Sequence, residues 1–191
     1  MIVATTFASN LARLKTLAVA VQKSDRSLVV LGRAMNTMIS LGRESGILKG
    51  FPEVVTPRDA KLIPRKHLLV LASGSQGEPR AASAQLAMDS YIGLTIQEGD
   101  VFLFSSKTIP GNELKVSKII DKLERRGVRV IEESIGRYHV SGHANQPDLE
   151  KLHKLINPGL LIPMHGEYRH LREHANIGKK NGINSLIATN G

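Results

Sequence analysis

Apolar, strand-like runs alternate with amphipathic helical stretches along almost the whole chain, and this alternation constrains the fold more than any other feature. The run at residues 68–72 is apolar without interruption, which is typical of a strand covered on both faces of a sheet. From Leu11 to Val21, apolar residues recur at helical spacing behind Ser9 and Asn10, two residues that can cap a helix. Strands that alternate with helices build a parallel sheet flanked by helices, so the predicted fold class is α/β.

The same patterns give approximate bounds for the elements. Strands are predicted at residues 2–7, 27–31, 67–72, 100–104, 127–132, 160–162 and 185–188. Helices are predicted at residues 11–21, 33–45, 113–123, 147–156 and 167–177. The proline-containing stretch before residue 67 predicts a surface loop or a short irregular excursion, and an organisational break is expected at residues 134–138.

Charge and composition limit the kinds of molecule that this chain is expected to bind. Lysine and arginine number 26 against 17 aspartates and glutamates, so the net charge is +9 and the natural partner is a polyanion such as nucleic acid. The alternative is a basic protein whose cations are only solvated, and an aromatic content of 4% disfavours recognition by many stacked bases. Since the chain has no cysteine, any metal must be held by histidine or carboxylate.

We expect no membrane partner. No apolar run approaches the roughly 18 residues needed to span a bilayer. No charged and then apolar leader opens the chain, and the lack of cysteine fits a reducing cytosol. The expected location is cytoplasmic.

Four short polar segments each follow a predicted strand and begin or precede a helix, at residues 7–10, 32–35, 73–78 and 110–113. The carboxyl ends of parallel strands are where ligands collect, because backbone amides and helix N-termini there can bind phosphate. Taken singly, each segment could also be a structural turn and cap. The candidate substrate-binding residues at this edge are Ser9, Asn10, Arg33, Ser75, Gln76, Glu78 and Asn112.

Histidines are concentrated after residue 138. His139, Val140, Ser141, Gly142 and His143 form a segment in which the glycine permits a tight turn, so that the serine and both imidazoles could grip a phosphate. A histidine close to the leaving oxygen could act as general acid, and His143 is the candidate catalytic residue. The alternative is a pair of histidines bound by backbone carbonyls.

His165 follows a short predicted strand that ends in Pro163 and Met164, and such rigid support is typical of a metal ligand. His170 and His174 are spaced by four residues on a predicted helix, so they could bind a metal together or lie on a solvated basic face. A second metal cluster of the type His-x-His-x-Asp-His is nowhere in the sequence.

These segments together resemble the ribonuclease J family, members of the metallo-β-lactamase superfamily that carry a β-CASP domain. The resemblance covers nearly the whole chain. The matching segments are Thr-Phe-Ala-Ser-Asn at 6–10, Gly32-Arg33 with Met35, Gly-Ser-Gln-Gly-Glu-Pro at 74–79, Ile-Pro-Gly-Asn-Glu at 109–113, His-Val-Ser-Gly-His at 139–143, and Pro-Met-His-Gly-Glu-Tyr at 163–168.

The resemblance implies a Rossmann-like β-CASP domain at residues 1–133 and a partial metallo-β-lactamase segment at 134–191. That family cleaves RNA internally and degrades it from the 5′ end, using two zinc ions to activate water. By this resemblance, residues 139–143 hold substrate phosphate, His143 lies close to the reaction centre, and His165 completes the metal site. The implied partner is RNA, and the parent enzyme is a possible homo-oligomer.

Two departures from the family pattern qualify the resemblance. Ala34 and Ala12 stand where the family usually has serine and often has histidine, which affects details of the loops. The larger departure is the missing N-terminal metallo-β-lactamase half, which carries most metal ligands. One histidine cannot hold two zinc ions, so we expect the chain alone to be inactive and to retain little zinc.

Two other functions remain open from the sequence. The chain could be a non-catalytic RNA-binding α/β module that uses its basic loops. It could also be a nucleotide-binding α/β domain of another class, although the first strand-to-helix turn lacks a glycine-rich phosphate fingerprint.

Overall fold

The computed structural model describes residues 1–91, 93–132 and 143–188. The chain divides into two compact units, Met1–Val140 and Ser141–Gly191. The predicted domain boundary between residues 133 and 134 falls outside the described residues and stays a prediction. None of the described helices is both long and apolar enough to cross a membrane.

The first unit is built on a six-stranded sheet whose neighbouring strands are all parallel. The strands are β1 (Ile2–Thr5), β2 (Ser27–Leu31), β3 (Val54–Val55), β4 (Leu68–Ala72), β5 (Val101–Phe104) and β6 (Arg129–Ile131). Their order is β3-β2-β4-β1-β5-β6, so β1 lies inside the sheet and pairs with β4 and β5.

Helices cover both faces of this sheet. On one face lie α1 (Leu11–Lys23) and α2 (Arg33–Glu44), whose apolar residues share a core with Leu71 of β4. On the other face lie α3 (Ala82–Ala87) and α4 (Glu113–Glu124), which pack with Val70 of the same strand. All five residues of β4 are buried, as its unbroken apolar run predicts. The predicted α/β class is therefore confirmed.

Two small elements differ from the predicted pattern. The proline-containing connection holds β3 at the sheet edge, followed by 3₁₀ turns at Asp59–Leu62 and Arg65–His67. Hydrophobic periodicity cannot predict bounds for α3, because three of its six residues are alanine and five of the six are buried, so no apolar stripe is visible in the sequence. Such short elements depend on the packing around them more than on their own sequence pattern.

The second unit consists of α5 (Gln146–Ile156), α6 (Tyr168–Lys180) and an isolated parallel bridge between Leu161 and Ser185. Asn145 caps α5 by accepting from the backbone N–H of Asp148 at 3.0 Å, and the Asp148 side chain binds the Asn145 N–H in return. The strands predicted at 160–162 and 185–188 were therefore overestimated, since the described residues contain only this bridge. Neither segment has a second described neighbour with which to extend the ladder.

Large apolar side chains of the second unit are exposed to solvent. Leu155 is 74% exposed and Met164 is 82% exposed, whereas its buried apolar side chains within the described range are Pro163, Ala175 and Ile183. The other large hydrophobic residues exposed in the described part of this unit are Leu152, Ile156, Leu160, Ile162, Tyr168 and Leu186. Exposed apolar surface of this extent is typical of a surface that packs against further polypeptide.

A histidine pair joins α5 and α6. The Nε2 atoms of His153 and His174 lie 3.2 Å apart, and His153 is only 4% exposed. Nδ1 of His153 is buried and has no hydrogen-bond partner in the described part of the chain. We therefore assign the proton to Nε2 of His153, which donates to His174, because the other tautomer would leave a buried N–H donor without an acceptor.

This pair should make the second unit sensitive to acid. Burial, and secondly the positive charge of His153, lower the pKa of His174 from its usual value of 6.5. The unfolded chain therefore binds a proton more readily, so the pair's stabilisation is present above about pH 6.5 and is lost as pH falls toward the lower folded-state pKa. Hydrogen exchange of α6 amides between about pH 7 and 5, the range in which histidine titrates, should show the loss.

The variant His174→Gln should show a smaller acid-induced loss of protection, measured as the exchange rate relative to that of the unfolded chain at the same pH. His67→Gln is the matched control, since it removes a half-buried histidine from the first unit. Equal pH dependence in wild type and His174→Gln would contradict the role of the pair.

Candidate functional site

The four polar segments lie at one edge of the sheet. They follow β1, β2, β4 and β5, which are consecutive neighbours in the order β2-β4-β1-β5. All of these strands are parallel, so their carboxyl ends share one edge. The predicted grouping of these segments is therefore present in the first unit.

The segment after β4 is held in place by close packing. Gly74 has a φ of +105°, and a Cβ atom there would clash with Oγ of Ser83. A Cβ atom on Gly77 would lie 2.9 Å from the backbone nitrogen of Val116 in α4. Only glycine permits both approaches, so the segment is seated against the first turns of α3 and α4.

Gln76 links the loops that follow β4 and β5. This residue is 6% exposed, and its Nε2 donates to the carbonyl oxygen of Lys107 at 3.0 Å. Its Oε1 accepts from the backbone N–H of Ile109 at 2.8 Å and lies 3.5 Å from Nδ2 of Asn112. Both ends of the amide are therefore engaged, which favours a positioning role over the predicted direct contact with substrate.

The structure also shows the contacts and exposure of the other predicted residues at this edge. Asn10 caps α1, because its Oδ1 accepts from the backbone N–H of Arg13 at 3.0 Å. Glu78 accepts from the backbone N–H of Gln76 at 2.9 Å. Ser75 is buried, while Ser9 and Arg33 are exposed, the latter in the first turn of α2. Thus the side chains of Asn10 and Glu78 also support the loops themselves.

Two buried hydroxyl groups were not among the predicted residues. Thr6 and Ser106 follow β1 and β5, which are adjacent strands, and these residues are 2% and 4% exposed. Neither hydroxyl has a hydrogen-bond partner in the described part of the chain. A hydroxyl can donate one hydrogen bond and accept two, so each keeps unused hydrogen-bonding capacity beneath this edge. Thr6 lies inside the strand predicted at 2–7 and Ser106 is the second residue after β5, so the sequence pattern does not distinguish either hydroxyl.

The predicted phosphate-holding residues His139, Val140, Ser141 and Gly142 lie outside the described residues. His143 is described and exposed, two residues before the cap of α5. Its predicted catalytic role stays a prediction.

His165 is exposed and has a φ of +64°, in the left-handed region. Such a backbone costs about 1–3 kcal/mol for a residue other than glycine and is concentrated at functional sites. This conformation fits a role for His165 in a site.

The described residues do not form a complete metal centre. They contain no group of three or more histidine, aspartate or glutamate side chains placed to hold a metal ion. Nδ1 of His170 accepts from the backbone N–H of Glu167 at 3.3 Å, whereas His174 contacts His153. This geometry argues against the alternative in which His170 and His174 bind a metal together. A pair of zinc ions does not fit the described donors alone.

Comparison with known proteins places the chain in a family. Residues 1–123 match the family model "Ribonuclease J, beta-CASP domain". Residues 127–188 match the model "Zn-dependent metallo-hydrolase RNA specificity domain". The two matches together account for most of the chain.

Curated relatives agree with these models. Ribonuclease J of Sinorhizobium meliloti is 37% identical over 182 residues, covering 95% of this chain and 32% of that protein. Ribonuclease J2 of Bacillus subtilis is 36% identical over 178 residues, which cover 93% of this chain and 32% of that protein. Ribonuclease J of Thermus thermophilus is 36% identical over 166 residues, which cover 87% of this chain and 29% of that protein. The chain thus spans about a third of the length of these relatives, and by its sequence, its parallel sheet and its matched domains it belongs to the ribonuclease J family.

Proposed function

We propose that this chain is the substrate-handling part of a ribonuclease J-type enzyme that hydrolyses phosphodiester bonds in RNA. The parent activity would combine 5′-to-3′ exonuclease and endonuclease cleavage. The observation that carries the proposal is the succession of two matched domains, one of ribonuclease J and one named for RNA specificity. The net charge of +9 supports a polyanionic substrate.

The sheet edge supplies groups suited to an RNA backbone. Ser9 is exposed at this edge and offers a hydroxyl, and the loops after β4 and β5 are held rigid by Gln76. Rigid donors bind a phosphate oxygen without first having to be ordered. The predicted segment 139–142 would hold a further phosphate, and His143 in its protonated form would donate a proton to the leaving oxygen.

The rest of the metal site would come from polypeptide outside this chain. The family model describes a Zn-dependent hydrolase, and His165 is the one predicted metal ligand here. We therefore propose that a metallo-β-lactamase half of the family's kind supplies the remaining ligands and that these 191 residues by themselves are inactive. The exposed apolar residues of the second unit, with Leu155 and Met164, support the proposal, because that half would cover them.

The isolated chain should bind single-stranded RNA in a salt-dependent manner. Phosphate contacts release counterions, so the logarithm of the affinity should fall linearly with the logarithm of salt concentration, by about 0.7 per contact. Fluorescence anisotropy with 5′-monophosphorylated RNA, at salt concentrations from about 50 to about 200 mM, measures the slope. Affinity that does not change with salt would contradict binding through the backbone.

Nuclease activity should require the missing half. Adding that half from a close relative should produce RNA degradation that a chelator abolishes. His165→Ala should reduce the restored activity by about 100-fold or more, since even partners outside the ligand shell are worth about 10–100-fold. RNA affinity of this variant should stay within about twofold, because phosphate contacts rather than His165 determine binding.

His67→Ala is the control for reconstitution, because His67 lies in the first unit at the amino end of β4. Chelator-sensitive degradation by the isolated chain would refute its inactivity. A well-formed complex without nuclease activity would favour the second candidate, a non-catalytic RNA-binding module.

A further inference from the structure

A cleft opens at the carboxyl ends of β2 and β4, beside the loops already described. It has a volume of about 490 Å³, within the range of roughly 300–1,000 Å³ typical of small-ligand sites. Its polar lining comes from α2, from the segment after β4 and from α3 with the residues that flank it. These polar residues are Arg33, Asn36, Ser73, Arg80, Gln85 and Tyr91.

The charge of the cleft is positive. Arg33 and Arg80 line it, and none of the lining residues that the structure describes is an aspartate or glutamate. Both arginines are exposed, and neither side chain forms a hydrogen bond or an ion pair within the described part of the chain. Two guanidinium groups on one concave surface therefore have donors available for an anion, and their planar geometry suits phosphate oxygens.

The backbone adds to this preference. Helix α2 begins at Arg33, and its cap residue Gly32 supplies no side-chain acceptor. The N–H groups of the first turn have no partner inside the helix, and the helix dipole favours negative charge there. Gly32 has a φ of +108°, and a Cβ atom at this position would clash with Oγ of Ser73. Glycine thus lets the ends of β2 and β4 approach each other closely beneath the cleft.

The rest of the lining is neutral. Burial raises the pKa of Tyr91, so its hydroxyl stays protonated and can donate a hydrogen bond. Nε2 of Gln85 donates to the carbonyl oxygen of Arg80 at 2.9 Å, which fixes the backbone that carries this arginine. A tyrosine ring and amide groups beside two cations can bind a nucleobase or ribose next to a phosphate.

We propose that this cleft binds one nucleotide of single-stranded RNA, with its phosphate between Arg33 and Arg80 and its nucleoside against Tyr91. The choice of RNA as the ligand rests on the proposed function, because the phosphate group of a free nucleotide could bind to the same arginines. It extends the RNA contact from the ends of β1 and β5 to the ends of β2 and β4. The cleft thereby adds a contact that involves neither His143 nor His165.

The test measures RNA affinity of the full chain by fluorescence anisotropy. The double variant Arg33→Gln, Arg80→Gln should lower the affinity for a single-stranded oligonucleotide by about tenfold or more and reduce the salt slope by about 0.7. The matched control is Lys66→Gln, Arg129→Gln, which removes the same charge from exposed residues before β4 and at the start of β6. The control should change affinity by less than about twofold, because both residues lie at the opposite edge.

Further variants separate a phosphate clamp from simple charge. Arg33→Lys, Arg80→Lys keeps both charges but removes the planar forks, so most of the affinity loss should persist. Tyr91→Ala should weaken RNA binding by about tenfold, whereas Tyr91→Phe, which keeps the ring, should weaken it by less. Circular dichroism verifies that each variant is folded. Equal losses in the cleft variant and the opposite-edge control would overturn the proposal.

Free nucleotides identify the source of the phosphate. Uridine 5′-monophosphate should shift the amide NMR signals of residues 33–36 and 80–85, whereas uridine alone should not. If uridine 5′-monophosphate binds there but the cleft variants bind RNA as wild type does, the assignment to RNA is overturned. These measurements use the chain without nuclease activity, so a failed reconstitution with intact binding would reject the proposed enzyme and leave the cleft assignment standing.

Discussion

The placement of β1 between β4 and β5 is the constraint on which the first unit depends. Because the strands pair in parallel on both sides of β1, their carboxyl ends lie at the same edge of the sheet. Each connection between parallel strands must therefore cross over one face of the sheet. Both faces are consequently covered by helices, and polar groups can collect only where the strands end. The candidate residues of the first unit lie close together for this reason, although Asn10 and Asn112 are far apart in sequence.

The parallel α/β architecture could be predicted from the sequence because long, uniform apolar runs determine it. The fully buried β4 and the amphipathic α1 needed no tertiary information. The two-residue β3 and the short α3 could not be predicted, since neighbouring elements decide whether such segments become regular. The strands expected at 160–162 and 185–188 failed for a related reason: a strand needs partners, and only one bridge joins these segments in the described part of the chain.

The candidate site was predictable in location but less so in the role of each side chain. Loop composition indicated Gln76 and Asn10, yet their side chains bind the protein's own backbone. Thr6 and Ser106 were missed because a single hydroxyl after a strand has no distinctive pattern, and burial is what gives it significance. Arg80 could not be identified from the sequence, because only the fold places it in the same cleft as Arg33.

The amide of Gln76 has a consequence for how the sheet edge responds to a ligand. It binds the backbone of the loop after β5 at two points, Lys107 and Ile109, and belongs itself to the loop after β4. Neither loop can therefore be displaced without straining or breaking bonds to the other. The entropy cost of ordering both loops is therefore met when the chain folds, so a ligand that contacts one loop meets the second already in place.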